Sequence, residues 1–510
     1  MKHLFACFCL YLAVVTARDV FISPGSNNGD GTITHPFASI EDAMNSLGSN
    51  DNDVQFILFP GTYEGEENVN LSVDSLQLNV INYNLWEGSL DSTGVIFDCN
   101  LVNSTHGDVF LLSGDGSISL TGLEFNYCNS VISYSSSDHS VSNNFPISVN
   151  QCKFNGNEGD SIVVESIDTL TISNSRVDSC TGFFVRIVGA DDNDSVFNMN
   201  NVSIAASGGI YAYNTFVNIY DSSFTNMKDR ALFLNPIPTS TNVIERCSFI
   251  SPEIPVTQGN SIYLQGTDNR YFSLVGVAYC SFYLNSAVQG GAIYAGNMQI
   301  DIVNSTFEQC NANQGGSLSL SASVATIEYS TFIDSIATSG GAIYLEQEST
   351  LDLQNSIFID NSADVGDNIY CAVGDTVTIY SQNEGFENTI YGCNIELDSS
   401  YDVSEPSQLS TQQSTNLSTQ ISTQFSSQIS TQESSGNVTS DVSPNSSTGG
   451  NTTLGIILVV VQGILFVIAI LAAAFVIFMY RRRKSIQNVE MISDEDIIYE
   501  LDDDEEMKLD

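Results

Sequence analysis

The feature that most constrains the fold is an internal repeat of about 25 residues, a length that is typical of solenoid proteins. Almost evenly spaced phenylalanines mark it, at Phe282, Phe307, Phe332 and Phe358. Glycine pairs recur with the same spacing, beginning at Gly290, Gly315 and Gly340. The sequence therefore predicts a solenoid, in which each repeat packs only on its neighbours.

The residues between the repeat markers alternate between apolar and polar with a period of two, as in 298–307 and 325–332. This period is typical of strands, and no segment between the strands is long enough for a helix. We therefore predict an all-β fold, a parallel β-helix over 65–400, in which each side chain lies about 4.8 Å from its counterpart in the next coil.

Stacking of like side chains explains the positions around each phenylalanine. Weaker copies of the repeat are predicted at Phe125, Phe154, Val177, Val202, Phe224 and Phe249. Two residues earlier, a small inward residue is expected at Cys152, Ser222, Cys247, Cys280, Ser305, Ser330 and Ser356. Three residues later, a position suited to a turn is expected at Asn157, Asn285, Cys310, Ser335 and Asn361, where a ladder of Asn could satisfy turn backbone groups while tolerating left-handed dihedrals. The glycine pairs are expected to supply positive φ.

The segment 18–64 is predicted to cap the β-helix. Ile40, Ala43, Met44 and Leu47 have helical spacing, and Ser39 and Asp42 occupy the positions of a capping box. A helix here would cover the end of the sheet, which otherwise offers unpaired backbone groups.

Two apolar segments predict the topology. Residues 1–17 resemble a cleaved secretory signal peptide, because Lys2 and His3 precede a short apolar run. Residues 454–480 contain no charge and are long enough for one transmembrane helix, and the basic run 481–484 that follows indicates a cytosolic C-terminus. We predict a single-pass type I plasma-membrane protein with its N-terminus outside the cell and an acidic cytosolic tail at 481–510.

The segment 401–453 is rich in Ser, Thr and Gln and is predicted to be a disordered stalk. N-glycosylation sequons fit an extracellular surface. They begin at Asn70, Asn103, Asn193, Asn201, Asn304, Asn416, Asn437, Asn445 and Asn451.

Charge excludes one class of partner. Lys and Arg total 14 against 60 Asp and Glu, a formal net charge of -46, so nucleic acid is not expected to bind. No Lys or Arg occurs between Arg270 and Arg481, which argues against a polyanionic ligand on that half of the solenoid.

Nine cysteines remain after removal of the signal peptide, so at least one thiol is free. Cys371 and Cys393 are separated by about one coil, and we predict a disulfide between them. Cys247 and Cys280 share the small inward position, on what we take to be adjacent coils. The connectivity of the others stays open.

Two groups of motifs carry a family resemblance. The runs 20–32, 36–40 and 59–63 resemble the opening of pectin-lyase-like domains, which implies a right-handed β-helix. Gly-Gly-Ala-Ile at 290 and 340, with the Phe-x-x-Asn motifs at 282 and 358, is similar to the repeats of polymorphic membrane proteins, which are adhesins. The overall plan is similar to that of β-helix membrane proteins of social amoebae.

Many proteins of pectin-lyase-like fold cleave polysaccharides, so possible catalytic residues were considered. Arg176 and Arg186, with acidic residues nearby, leave a lyase-type site open, although a solvated acidic loop is favoured. Those acidic residues are Asp178, Asp191, Asp192 and Asp194, and His106 belongs to no complete hydrolase motif.

Tyrosines recur near the glycine pairs. Tyr294, Tyr344 and Tyr370 could bind a neutral glycan, although inward or turn packing is favoured.

The expected function follows from these features together. We expect a non-catalytic surface glycoprotein whose β-helix serves adhesion or recognition of glycans or cell-surface proteins. The alternative is a membrane-tethered polysaccharide lyase or glycoside hydrolase. No catalytic residue, metal ligand or cofactor is assigned.

Overall fold

A computed structural model describes residues 17–397 except 28, 50, 90–93, 101–106, 136–144, 191–194, 239, 252–255, 267–272, 381 and 386–388. The predicted stalk, transmembrane helix and acidic tail, and all of the predicted signal peptide except Ala17, lie outside the described residues. Within the described part of the chain, no helix combines the length and apolarity that a membrane crossing requires.

Three long parallel sheets, which we number 1 to 3, make up most of the described part of the chain. Sheet 1 has 15 strands: Arg18–Ile22, Asp53–Leu58, Gln77–Asn82, Ser117–Thr121, Ile147–Asn150, Thr169–Ser173, Val196–Asn200, Phe216–Tyr220, Thr241–Glu245, Leu274–Ala278, Gln299–Val303, Val324–Glu328, Thr350–Gln354, Thr376–Ile379 and Asn394–Leu397. Sheet 2 has 12 strands: Gly61–Glu64, Val95–Asp98, Glu124–Asn126, Lys153–Asn155, Arg176–Asp178, Ser203–Ala205, Ser223–Thr225, Ser248–Ile250, Ser281–Tyr283, Thr306–Glu308, Thr331–Ile333 and Ile357–Ile359. Sheet 3 has 13 strands: Leu71–Asp74, Phe110–Ser113, Ile132–Ser135, Ile162–Glu165, Val185–Val188, Ile210–Tyr213, Leu232–Asn235, Ile262–Gln265, Ile293–Gly296, Leu318–Ser321, Ile343–Glu346, Ile369–Cys371 and Ile390–Tyr391.

Smaller elements complete the described chain. Two parallel pairs lie between sheets 2 and 3, Val256–Gln258 with Ala287–Gln289 and Ile336–Ser339 with Ser362–Val365. The helices are Ile40–Asn45, Tyr83–Trp86 and the 3-10 turn Glu66–Asn68.

The chain passes from sheet 1 to sheet 2 to sheet 3 and back to sheet 1 in each coil. A strand pairs in parallel with the strand one coil away, for example Phe307 with Phe332. Alternate residues point inward, so the three sheets enclose one continuous apolar core. The predicted all-β parallel β-helix is confirmed.

The phenylalanines form a stack inside sheet 2. Ring centroids of Phe282 and Phe307 are 4.6 Å apart, and those of Phe307 and Phe332 are 4.8 Å apart. The prediction at Val202 was wrong, because Ile204 pairs with Val177 and with Phe224 and therefore occupies this position. Val202 lies instead in the column of small residues, where its N–H donates to Ser222 Oγ at 3.2 Å.

The turn after sheet 2 also differs from the prediction. Left-handed dihedrals fall one residue earlier than expected, as at Leu284 with φ 56° and Asp334 with φ 50°. Asn285 and Asn157 are buried and point inward, where Asn157 Oδ1 accepts a hydrogen bond from the N–H of Cys128 at 3.0 Å. These amides satisfy backbone groups at the corner without adopting the left-handed conformation themselves.

Only the first glycine of each pair has positive φ, with values of 59° at Gly290, 65° at Gly315 and 64° at Gly340. The second glycine is required by close approach. A Cβ on Gly316 would lie 2.1 Å from the carbonyl oxygen of Gly341 in the next coil. The first glycine of a pair is therefore required by its positive φ and the second by the close approach of the next coil.

The N-terminal helix forms where the spacing predicts it. Ser39 Oγ accepts a hydrogen bond from the N–H of Asp42 at 3.1 Å, and Ile40 and Ala43 belong to the core. The segment 18–64 also supplies the first two strands of sheet 1 and the first strand of sheet 2. The segment therefore contributes strands to the solenoid itself in addition to the helix.

Candidate functional site

A column of aromatic side chains runs along the outer face of sheet 3. Strands of this sheet begin with an inward apolar residue, so the next residue points outward. One outward position is occupied, coil after coil, by Tyr211, Phe233, Tyr263, Tyr294, Ser319, Tyr344, Tyr370 and Tyr391. All of these residues except Ser319 are aromatic, and we call the set the aromatic column.

The rings stack on one another almost in parallel. Centroids of Tyr211 and Phe233 are 4.8 Å apart, those of Phe233 and Tyr263 are 4.8 Å apart, and Tyr294 follows 5.4 Å from Tyr263. Beyond Ser319, Tyr344 stacks on Tyr370 at 5.3 Å. The step between coils sets this spacing, so the column is a direct consequence of strand register.

Exposure along the column is uneven. Tyr211, Phe233 and Tyr263 are half-buried, whereas Tyr294 and Tyr344 on either side of Ser319 are 7% and 6% exposed. Burial, followed by the negative charge of Glu346, raises the pKa of Tyr344 to about 12. The column is therefore accessible on both sides of this buried stretch, at Tyr370 and Tyr391, the latter 58% exposed, and at Tyr211, Phe233 and Tyr263.

Two arginines flank the part of the column at Tyr211, Phe233 and Tyr263. The Arg186 guanidinium lies 5.5 Å from the centre of the Tyr211 ring, and the Arg230 guanidinium lies 4.7 Å from that of Tyr263. These distances are within the range of cation–π attraction. We call these two arginines with Tyr211, Phe233 and Tyr263 the Arg–aromatic patch.

Hydrogen bonds hold Arg230 in place. Its Nε donates to the carbonyl oxygen of Gln258 at 2.8 Å, and a terminal nitrogen donates to Thr257 Oγ1 at 3.1 Å. Gln258 continues into a row of glutamines, in which Nε2 of Gln258 donates to Oε1 of Gln289 at 2.8 Å, and Gln289 donates likewise to Gln314 at 2.6 Å. The patch is therefore bordered by a fixed row of amides.

The patch offers a defined set of interactions. The stacked rings cover each other's faces, so their edges and the phenol oxygens are what a ligand meets. Amphipathic rings bind C–H groups while their hydroxyls hydrogen-bond, and guanidinium N–H groups donate to hydroxyl or carboxylate oxygens. Such a surface suits an extended polar ligand with apolar C–H faces.

Of the described catalytic candidates, Arg176 and Asp178 lie together and Arg186 lies on a different sheet. Arg176 lies on sheet 2, where its nearest carboxylate oxygen is 3.3 Å away on Asp178, whereas Arg186 lies on sheet 3, with Asp160 at 3.8 Å. His106, Asp191, Asp192 and Asp194 lie outside the described residues. Among the described residues, no group of three or more His, Cys, Asp or Glu is placed to hold a metal ion.

Three of the predicted glycosylation sites are described. All three, Asn70, Asn201 and Asn304, lie at left-handed turns and are exposed to solvent. Asn201 and Asn304 both follow strands of sheet 1, with φ 54° and 48°, and lead into sheet 2. Asn103, Asn193, Asn416, Asn437, Asn445 and Asn451 lie outside the described residues.

Two disulfides join adjacent coils. Cys371 and Cys393, the pair named from the sequence, are bonded with a Cα–Cα distance of 4.8 Å. Cys99 and Cys128 form a second disulfide, also with a Cα–Cα distance of 4.8 Å, that the sequence analysis did not pair. The thiols at Cys152, Cys180, Cys247, Cys280 and Cys310 are free and buried.

Sequence reasoning found part of the aromatic column and missed the patch. Tyr294, Tyr344 and Tyr370 were considered, but the favoured inward or turn packing was wrong, because they lie in the outward column. Tyr211, Phe233 and Tyr263 were not considered, since the intervals between them are unequal and depart from the regular period. The only signal available was the recurrence of an aromatic directly after the first apolar residue of a strand.

Comparisons with known proteins concern the fold. No protein-family model matches the chain, and no curated protein matches it by sequence. The catalytic unit of a GH87 alpha-1,3-glucanase from Streptomyces thermodiastaticus is similar, with 12% identity over 73% of this chain and 70% of that one and a TM-score of 0.39. Pectate lyase Pel9A has 11% identity over 77% and 82% of the two chains with a TM-score of 0.22, and a rhamnogalacturonan lyase has 11% over 77% and 90% with 0.26. These likenesses carry no information about activity.

Proposed function

We propose that this protein is a non-catalytic, single-pass type I glycoprotein of the plasma membrane whose extracellular β-helix, right-handed in sense, binds a glycan at the Arg–aromatic patch. In this proposal 1–17 directs secretion, 454–480 crosses the membrane and 401–453 holds the solenoid away from it. The observation that carries it is the outward stack of Tyr211, Phe233 and Tyr263 between two arginines.

The position of these rings supports binding. An outward ring is not needed for the core, which the inward residues of the same strands already fill. Half-buried aromatics with fixed neighbours lose little conformational freedom when a ligand binds, and aromatic and arginine side chains are enriched at binding hot spots.

The periodicity supports a glycan in particular. The rings follow one another at 4.8 Å, and one pyranose unit of an extended polysaccharide is of similar length. A chain of sugars laid along sheet 3 would meet a ring edge at each unit and amide or guanidinium donors beside it.

The experiment is a glycan array probed with the full-length protein in detergent, and with Tyr263→Ser. Serine is chosen because Ser319 occupies the same column position in the natural chain. We expect selective binding of extended glycans and a loss of affinity of at least about tenfold in the variant. Tyr279→Ser is the matched control, because Tyr279 is exposed but lies at the turn between sheets 1 and 2, and it should bind normally.

Two results would contradict this function. Release of new reducing ends or unsaturated products from the bound glycan would favour the alternative, a membrane-tethered lyase or glycoside hydrolase. Equal binding of the glycan by Tyr263→Ser and the wild type would show that the Arg–aromatic patch is not the binding site.

A further inference from the structure

Cys247 and Cys280 occupy equivalent positions on adjacent coils. The residues that follow them, Ser248 and Ser281, are partners in sheet 2, and the N–H of Ser281 donates to the carbonyl oxygen of Cys247 at 2.9 Å. Both thiols are buried, with 2% and 3% exposure. Each cysteine therefore lies one coil from the other in the column of small inward residues.

The side chains in this column point toward the preceding coil. Ser305 Oγ, for example, accepts a hydrogen bond from the N–H of Cys280 at 3.2 Å. Cys280 has the same orientation, since its Sγ lies 3.5 Å from the carbonyl oxygen of Ile244 on the coil of Cys247. The Cys280 Sγ therefore lies on the side of its coil that faces the coil of Cys247.

The two existing disulfides show that adjacent coils of this solenoid can be joined by a disulfide. Both join cysteines on adjacent coils, with Cα–Cα distances of 4.8 Å, inside the range a disulfide requires. We propose that Cys247 and Cys280 form a third disulfide of the mature protein, which closes a longer loop of chain than either of the other two.

The chemistry is thiol–disulfide exchange with a protein or small-molecule disulfide of the secretory pathway. The thiolate of one cysteine attacks one sulfur of that disulfide and releases the other sulfur as a thiol. The thiolate of the second cysteine then attacks the sulfur of the first and displaces the remaining group as a second thiol. Two thiols of this chain lose two protons and two electrons, and the oxidant is reduced to two thiols. Because both sulfurs are buried in the finished core, the exchange precedes closure of this coil.

A disulfide between Cys247 and Cys280 would covalently link two adjacent coils beneath the outer surface. The closed loop contains Thr257 and Gln258, which hold Arg230, and it contains Tyr263. The Cys247–Cys280 disulfide is inferred from strand register and the positions of the thiols, not from glycan binding. Either proposal can therefore be wrong while the other holds.

The test is peptide mapping of the full-length protein from a secretory host. Cells are treated with N-ethylmaleimide before lysis, and the protein is denatured without reductant, alkylated and digested. We expect a cross-linked peptide joining Cys247 and Cys280, whereas Cys152 and Cys310, which have no cysteine at the equivalent position of an adjacent coil, carry the alkyl group. In Cys247→Ser, Cys280 should become alkylated.

Alkylation of both Cys247 and Cys280 in the wild-type protein would overturn the proposal. So would a cross-link that appears only when N-ethylmaleimide is omitted, because it would then be a product of air oxidation. The mapping needs no folded variant, since the decisive sample is the wild-type chain.

Discussion

At the scale of single residues, the glycine pairs show how tightly the coils approach each other. Gly291, Gly316 and Gly341 each place their α-carbon against the backbone of the next coil, and a Cβ would lie 2.0 to 2.1 Å from a carbonyl oxygen there. A backbone oxygen cannot rotate away as a side chain can, so the substitution displaces a whole strand.

We therefore expect Gly316→Ala to lower the free energy of unfolding by at least about 2 kcal/mol, as overpacking in a rigid site does. Gly276→Ala is the matched control on sheet 1, because the nearest atom to its Cβ, the carbonyl oxygen of Asn242, is 3.7 Å away. Denaturant unfolding of the two variants measures the difference. Similar stabilities would show that the coils can separate at little cost.

A second residue-scale feature is the buried carboxylate of Glu308. Glu308 is 6% exposed, and its Oε2 has no hydrogen-bond partner. Burial, followed by repulsion from Asp334, raises the pKa of the Glu308 carboxyl group. A carboxyl group whose pKa is raised on folding destabilises the ionised protein at neutral pH. This penalty disappears below the pKa of the unfolded chain, about 4.3.

Glu308→Gln should therefore raise the free energy of unfolding at pH 7 by roughly 1 kcal/mol, and the gain should vanish near pH 4. Asp221→Asn is the control with the opposite sign, because Arg246 lowers the pKa of Asp221 and the pair is lost in the variant. Thermal unfolding across this pH range gives both profiles. A pH-independent gain in Glu308→Gln would indicate a packing effect instead of a charge effect.

At the scale of structural elements, serines satisfy backbone donors at the corner between sheets 1 and 2. The N–H of Ser305 donates to Ser330 Oγ at 3.2 Å, and the N–H of Ser330 donates to Ser356 Oγ at 3.3 Å. Each hydroxyl accepts a hydrogen bond from a backbone N–H of the preceding coil, so the column forms a series of hydrogen bonds that runs across the strands.

Ser330→Ala should cost about 1 to 3 kcal/mol, because it leaves the buried N–H of Ser305 without an acceptor. Ser281→Ala, on the outer face of sheet 2, should change stability by no more than about 0.5 kcal/mol. Hydrogen exchange at the Ser305 amide gives a local readout, and faster exchange is expected only in Ser330→Ala. Unchanged exchange there would mean that another acceptor replaces the hydroxyl.

The length of the turns between strands decides how much of the register can be predicted from the sequence. Where coils are equally long, as between Phe282 and Phe332, the repeat alone gives the register, and the structure agrees. Where turns vary in length, one marker per coil does not fix the alignment, which is why Val202 was taken for the position of Ile204. The same irregularity hid the Arg–aromatic patch, since the residues that form it become neighbours only after the turns are placed.

At the scale of the whole molecule, charge is distributed unevenly along the solenoid. From 271 to 480 the sequence has no Lys or Arg, so the carboxylates in this part have no cationic side chain there to pair with. Repulsion is visible between neighbouring coils, where burial, followed by the charge of Asp360, raises the pKa of Asp334.

Stability should therefore increase with ionic strength. Raising the salt concentration from about 10 mM to about 150 mM shortens the screening length from about 30 Å to about 8 Å, and we expect Tm to rise by a few degrees. Sodium chloride and potassium chloride should act alike if screening is the cause. A fall in Tm would show that attractive ion pairs outweigh repulsion in this molecule.

The equal coils around Gly290, Gly315 and Gly340 have a consequence for the length of the molecule. Thr306 and Thr331 are partners in the same register and each follows a serine, so removing 306–330 would rejoin the chain at the same Ser-Thr junction. Copies of this unit can be lost or duplicated in evolution as whole steps, and the length of the solenoid can be adjusted without redesign of its interior.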